Sequence, residues 1–297
     1  MVHGRPEWLK VRMPGGDRYN RIKSRARELK LHTVCEEAHC PNVGECWGGG
    51  TATFMVLGDT CTRGCRFCAV ETARNPAPPD GNEPENLANA IAEMGLDYVV
   101  VTSVNRDDLA DQGAGHFAAC IAASREKSPR TLVEVLIPDF RGRTDLLDRL
   151  LTARPDVLAH NVETVPRLQF PVRDPRANWE QSTTILRHAK ARGFLTKTSI
   201  QVGHGETAEE VLEAMRALRA IDVDFLTLGQ YLRPTPTHLP VQEFVPPATF
   251  DAWAEAGRAM GFRYVASGPL VRSSYKAGEY FIRDFLRARG AAPEVSA

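Results

Sequence analysis

The sequence lacks any long apolar run. Residues 1–12 hold charges and Pro6 rather than the hydrophobic stretch of a secretory signal, and no later segment is long and apolar enough to span a bilayer. A surplus of either charge is also missing. Lys+Arg and Asp+Glu both count 37 in 297 residues, which removes the general case for nucleic acid or a membrane surface as partner. There is no internal repeat and no low-complexity tract; the Pro-rich stretch 75–84 reads as a connecting loop. These absences place the chain, as an expectation, in the cytoplasm, a reducing compartment where structural disulfides are rare. With 43% hydrophobic residues it can bury one sizeable core.

Seven cysteines in such a setting need another explanation, and six of them fall between Cys35 and Cys68. Cys35, Cys40 and Cys46 form a C-x4-C-x5-C set; Cys61, Cys65 and Cys68 form a C-x3-C-x2-C set. Each triplet is one ligand short of a closed site. A disulfide framework is disfavoured by the odd total and the reducing compartment. Structural zinc wants four ligands in paired short elements, and only Cys65 and Cys68 form such a pair, with His39 as a spare donor. Iron–sulfur clusters fit better, because three thiolates leave one iron free for something else. Cys120 stands alone in an apolar helical run and reads as a core thiol.

Apolar, β-branched segments at 54–57, 98–102, 132–137, 157–162, 197–202 and 225–232 predict six strands. Helical patterns lie between them, at 84–94, 116–127, 145–151 and 180–192. A further helix follows a capping box at Thr207 and Glu210, with Val211, Met215 and Leu218 at helical spacing. Alternation of this kind makes a parallel α/β sheet covered by helices, and either a barrel or an open sheet satisfies it.

The segment Cys61-Thr62-Arg63-Gly64-Cys65-Arg66-Phe67-Cys68, with an aromatic before its last cysteine, resembles the signature of the radical S-adenosylmethionine (SAM) superfamily. That resemblance implies an incomplete (βα)6 TIM-type barrel with N-terminal and C-terminal extensions. It also implies a cluster on Cys61, Cys65 and Cys68 whose open iron takes the amino and carboxylate groups of SAM, and a 5′-deoxyadenosyl radical as the reagent. The expected division is an extension over 1–50 bearing the other cysteines, a partial barrel over 51–245, and a helical extension over 246–297 entered at Pro246-Pro247.

The upstream triplet, in Cys35-Glu36-Glu37-Ala38-His39-Cys40-Pro41-Asn42-Val43-Gly44-Glu45-Cys46-Trp47, is similar to that of lipoyl synthases. So are Val101 to Leu109, His160-Asn161-Val162-Glu163-Thr164 and Arg272-Ser273-Ser274-Tyr275, and the likeness runs over about residues 9–278. The resemblance implies two [4Fe–4S] clusters, the auxiliary one on Cys35, Cys40, Cys46 and the Ser274 oxygen. Read alone, Ser273 and Ser274 would merely cap a helix. Serine binds iron less well than thiolate, which suits a cluster that is consumed. The implied reaction is insertion of two sulfur atoms at C6 and C8 of an octanoyl group on a lysine of a lipoyl carrier domain. Unactivated C–H bonds lie beyond acid–base chemistry, so a scarcity of nucleophile and proton-relay motifs is expected.

The implied partners are octanoylated carriers (2-oxoacid dehydrogenase E2 subunits and the glycine cleavage H protein) and a ferredoxin- or flavodoxin-type reductant, with the chain acting as a monomer. Asn161, Glu163, Gly203 and Gly205 are expected at SAM or substrate, the glycines by letting backbone approach closely. His204 departs from the family's usual leucine, and Gln112 from its usual glycine. Residues 1–30 carry nine Lys/Arg against three acids, either a docking surface for an acidic carrier or a solvated helix face. Competing functions are another sulfur-inserting enzyme of biotin-synthase or methylthio-transferring type, and a non-catalytic iron–sulfur electron carrier, which would usually close every iron with cysteine.

Overall fold

Seven strands run parallel in chain order, as the alternation of apolar runs and helices requires. The computed structural model describes residues 6–10, 15–29, 31–37, 40, 42–48, 51–274, 282, 284–286 and 288. In chain order the strands are β1 (His32–Thr33), β2 (Ala52–Val56), β3 (Thr60–Cys61), β4 (Glu71–Thr72), β5 (Tyr98–Ser103), β6 (Leu132–Leu136), β7 (Val157–Ala159), β8 (Leu195–Val202), β9 (Phe225–Gln230) and β10 (Tyr264–Gly268). The main sheet has the order β1-β2-β5-β6-β7-β8-β9-β10, with β1 antiparallel to β2 and all other neighbours parallel. Its edges are β1 and β10, so the barrel is open. β3 and β4 form a separate parallel pair.

Every residue of β2 and of β9 is buried, the mark of a sheet covered on both faces. Helices Glu83–Met94, Ala114–Lys127, Thr144–Leu151, Trp179–Ala191 and Ala208–Ala220 provide the cover, within a residue or two of their predicted bounds. The last starts at the expected capping box: Thr207 Oγ1 accepts from the Glu210 N–H, and the Glu210 carboxylate accepts from the Thr207 N–H. Two large apolar clusters fill the space between sheet and helices, one around Phe54, Val101 and Ile121, the other around Ile200, Met215 and Phe250. At the beginnings of the strands Ile282 packs with Tyr98, Val157, Leu195 and Phe225.

Within 246–297, expected to be a helical extension, Pro247–Ala259 is helical, and so are the described residues 282, 284–286 and 288. β10 returns to the sheet and pairs with β9 from Tyr264↔Phe225 to Gly268↔Gly229. Its five residues, Tyr-Val-Ala-Ser-Gly, carry too short an apolar run to announce a strand. The loops after β2, β5, β6, β7, β9 and β10 all open at the C-terminal ends of their strands, where the ends of a parallel barrel gather function.

Candidate active site

The turn from β2 into the cysteine loop is made at Leu57, whose φ of 70° is left-handed. Three groups hold it there. Its N–H donates to Glu83 Oε2 at 2.8 Å, its carbonyl accepts from Arg106 Nη1 at 3.1 Å, and Gly113 leaves room for its side chain. A Cβ on Gly113 would lie 2.4 Å from Leu57 Cδ1. Glu83 is itself steadied by His116 Nε2 at 2.6 Å. Cys120, near this pair, is buried in its helix as expected of a core thiol.

From that corner each step of the loop is tied to another strand's exit. The Thr62 N–H donates to Asn105 O at 2.9 Å, the Gly64 N–H to Asp174 Oδ2 at 2.9 Å, and the Arg66 N–H to Val172 O at 3.0 Å. Arg63 lies at the centre, bonded through Nε to Asp107 and through Nη1 to Asp139, both at 2.8 Å. Burial alone would favour a neutral Arg63, but its bonds to Asp107 and Asp139 win and raise its pKa; burial likewise opposes the charge of Asp107, and Arg63 prevails in lowering it. Backbone N–H groups point at two of the sulfurs: Arg63 and Asn105 at Cys61 Sγ (3.4 and 3.3 Å), and Asp174 at Cys65 Sγ (3.3 Å). Burial still pushes the Cys65 thiol up to about 11 and Cys68 up to about 12. Thiolates here need the positive charge that cluster iron supplies.

Cys61, Cys65 and Cys68 share one cavity of about 450 Å³ with Cys40, Cys46, Ser273 and Ser274. The two cysteine sets, separate in sequence, therefore face a common space. Cys35 lies in the helical turn Val34–Glu37, and its side chain is outside the described residues, as are His39 and Tyr275. Among the described residues the cysteines are free thiols, as the argument against disulfides expects.

Two residues unnoticed in the sequence bring the auxiliary set together. Asn42, between Cys40 and Cys46 and 5% exposed, donates through Nδ2 to Leu270 O at 2.6 Å. Gly229 at the end of β9 lets the Arg272–Ser274 segment lie against the sheet, since a Cβ there would meet Val271 O at 2.1 Å. Arg272 Nη1 also donates to Gln230 O at 3.2 Å. Cys46 and the fully buried Trp47 pack with Ile22 of helix Asp17–Glu28, anchoring the N-terminal half of the set.

Asn161 and Glu163 line the same cavity after β7. Glu163 takes a left-handed φ of 66° and accepts from Gln201 Nε2 at 2.6 Å, and burial raises its pKa. Asn161 Oδ1 and Ser103 Oγ are buried with no hydrogen-bond partner among the described residues, and both residues line the cavity. Polar atoms left in this state fit a ligand rich in amino and hydroxyl groups. Gly203 and Gly205 are not among the residues that line the cavity. The space above Gly203 is taken by the chain itself, because a Cβ would lie 2.1 Å from Gln230 Nε2 and 2.7 Å from Glu243 O.

The two departures from the family pattern have local explanations. Gln112 takes a left-handed φ of 49°, which is why glycine is usual there. His204 stacks on Tyr231 with centroids 4.3 Å apart and meets Phe67 edge-on, while both its ring nitrogens lack partners among the described residues. Burial lowers its pKa to about 4, and burial does the same to His160, whose Nδ1 and Nε2 are bonded to Ile137 O and Ser182 Oγ. Both rings are therefore neutral in the fold and protonate near 6.5 once unfolded. Stability from this source is complete above about pH 6.5 and declines as pH falls toward 4. His204→Leu is expected to raise stability at pH 7 by about 1 kcal/mol by removing one unmet donor and one unmet acceptor, and to flatten the decline between pH 6.5 and 4. Urea denaturation across that range checks both effects; an unchanged acid slope would contradict the assignment.

Three of the nine cations of residues 1–30 are paired with acidic side chains of the protein. Arg25 bonds Glu28 and Glu93, Lys10 bonds Glu7, and Arg27 approaches Glu36.

Comparison with known proteins follows the same lines as the geometry. Residues 55–218 match the model of the radical SAM superfamily, and residues 3–40 match that of the N-terminal domain of lipoyl synthase of the radical SAM family. The chain is 59% identical over 290 residues to a chloroplastic lipoyl synthase of Arabidopsis thaliana, covering 95% of this chain and 74% of that protein. It is 58% identical to a mitochondrial lipoyl synthase of Rattus norvegicus, covering 96% and 78%. Among solved structures, SuiB of Streptococcus suis bound to its precursor peptide SuiA superposes with a TM-score of 0.57 at 10% identity, covering 84% of this chain and 52% of that one, a likeness of fold alone. The names of the relatives overturn the cytoplasmic expectation, since they place those enzymes in chloroplasts and mitochondria.

Proposed function

The chain belongs to the lipoyl synthase family of radical SAM sulfurtransferases, which use SAM and [4Fe–4S] clusters, and on that footing we propose how its cavity divides the work. Cys61, Cys65 and Cys68 hold the cluster that SAM joins, and Cys35, Cys40, Cys46 and Ser274 hold the auxiliary cluster, which is the sulfur substrate. The observation that carries this reading is the single cavity shared by both sets, with Asn161 Oδ1 and Ser103 Oγ unpartnered in its wall. SAM, when bound, supplies a 5′-deoxyadenosyl radical that removes hydrogen from an unactivated carbon.

The protein's own residues do the positioning. Asn161 and Glu163 accept from the donors SAM brings, while the Arg63, Asp107 and Asp139 network keeps the cysteine loop in one conformation. The apolar wall of Met55, Val104, Leu136 and Ile137 receives the octanoyl chain and keeps water away from a carbon radical. The product is a carrier lysine whose octanoyl chain bears sulfur at C6 and C8. Octanoylated E2 subunits and the glycine cleavage H protein are the proposed carriers, a ferredoxin or flavodoxin the proposed reductant, and a monomer the proposed working form.

The test is anaerobic cluster reconstitution followed by SAM, reductant and an octanoylated lipoyl domain, read by mass spectrometry. Sulfur gain on the carrier in step with 5′-deoxyadenosine is the expected result. Deoxyadenosine without any mass gain would refute sulfur insertion and spare the radical chemistry.

A further inference from the structure

Gln201, near the end of β8, grips Glu163 twice. Its backbone N–H donates to Glu163 O at 2.7 Å, and its Nε2 donates to Glu163 Oε2 at 2.6 Å. The Glu163 N–H donates in turn to Ser199 O at 3.1 Å, so backbone bonds alone already join the two strand exits. The side-chain bond is surplus to that pairing. It is made between two residues that both line the cavity, where an incoming ligand competes for the same atoms.

The state of Glu163 shows what the bond does. The residue holds a left-handed φ of 66°, unfavourable for any side chain with a Cβ. Burial favours its neutral acid form, and against burial stand the charge of Arg173 and the hydrogen bonds from the Gln201 and Asn161 amides. A neutral carboxyl offers a proton where a carboxylate offers a lone pair, and neighbouring amides must turn to suit it. Asn161 gives its N–H to Glu163, which leaves Asn161 Oδ1 buried and unpartnered in the cavity wall. Two acceptors therefore meet one space, and a donor on the next strand sets the direction of both.

We propose that Gln201 is a positioning residue of the SAM site: its amide fixes the Glu163 carboxylate, and through it the Asn161 amide, as acceptors for the donors that SAM brings. The inference rests on the assignment of Asn161 and Glu163 to SAM. Gln201 acts through Glu163, so its loss matters only while that carboxylate is present.

The experiment uses anaerobically reconstituted enzyme holding both clusters, as wild type, Gln201→Met, Gln201→Glu, Glu163→Ala and the Gln201→Met/Glu163→Ala double variant. Methionine keeps the length of the side chain and removes the donor; glutamate sets a second carboxylate beside the first. SAM affinity is measured by equilibrium dialysis, and KM and kcat are measured for 5′-deoxyadenosine formation. Gln201→Met is expected to weaken SAM binding about tenfold and to raise the KM for SAM to match, with kcat at saturating SAM, iron content and the KM for the octanoylated domain retained. Gln201→Glu should weaken SAM binding further. Adding Gln201→Met to Glu163→Ala should change nothing more, because a residue that acts through another is silent once that other is gone. Unchanged SAM affinity in Gln201→Met and Gln201→Glu, or losses that add in the double variant, would overturn the proposal. Full SAM affinity in Glu163→Ala would remove the assignment of Glu163 and the positioning role with it. Wild-type enzyme that shows the expected SAM pattern yet adds no sulfur to the carrier would refute the function and leave the role of Gln201 standing.

Discussion

Gly229→Ala is expected to cost the protein its auxiliary cluster while the SAM cluster stays loaded. The methyl group would fall 2.1 Å from Val271 O, a backbone atom that no rotamer change can move aside. The Val271–Ser274 segment must then lift from β9, and Ser274 leaves the cavity that it shares with Cys40 and Cys46. Iron and sulfide analysis of reconstituted protein should fall from about 8 to about 4 iron per chain. With SAM and reductant the variant should still form 5′-deoxyadenosine, at near wild-type rates, without transferring sulfur. Asn42→Ala is the milder form of the same lesion, since it removes the donor to Leu270 O and leaves the backbone free to stay. Retention of the full iron content in both variants would show that neither residue positions the serine.

The second large effect is expected at Arg63. Its side chain is 2% exposed, and Arg63→Met strands Asp107 and Asp139, whose side chains are 4% and 0% exposed. Breaking a buried ion pair by removing one partner typically costs about 3–5 kcal/mol, because the remaining charge has neither water nor a partner. Arg141 and Arg176 still reach Asp107, at 3.0 and 3.5 Å, and Arg173 reaches Asp139 at 3.8 Å, which holds the loss below full isolation. The change should appear as a lowered denaturation midpoint and as failure of the Cys61–Cys68 loop to retain iron. The auxiliary set, in contrast, should load normally. An Arg63→Lys variant should recover part of the stability, since lysine restores the charge but cannot fork between two carboxylates. Equal iron loss from both sites would point to general unfolding instead.

Much of the scaffold was legible because parallel strands buried on both faces carry near-continuous apolar runs, and Tyr98 to Val101 shows this directly. The cysteine sets were legible because ligand spacing is a local property. The residues that make those sets into sites were not. Gly229 and Gly203 look alike in sequence, yet the first accommodates Val271 and the second Gln230, neighbours that only the folded sheet provides. Asn42 reads as one polar residue in a polar turn until Leu270 is placed beside it. The left-handed Leu57 gives no sign at all, since its conformation is imposed by Glu83, Arg106 and Gly113 from elsewhere in the chain.

The bond from Asn42 to Leu270 spans 228 positions of sequence. A chain emerging from the ribosome completes its early strands first and reaches Leu270 only after the last strand of the sheet, Tyr264–Gly268. The three thiols of the SAM loop are all present once residue 68 has been made, and the strands that steady them follow in order. The site proposed for the auxiliary cluster has no such early existence, because Cys40 and Cys46 precede the parallel strands in sequence and Ser274 follows them. Its assembly therefore reports that the strands between have closed into the barrel, and on the proposed assignment the auxiliary cluster is seated only after that closure.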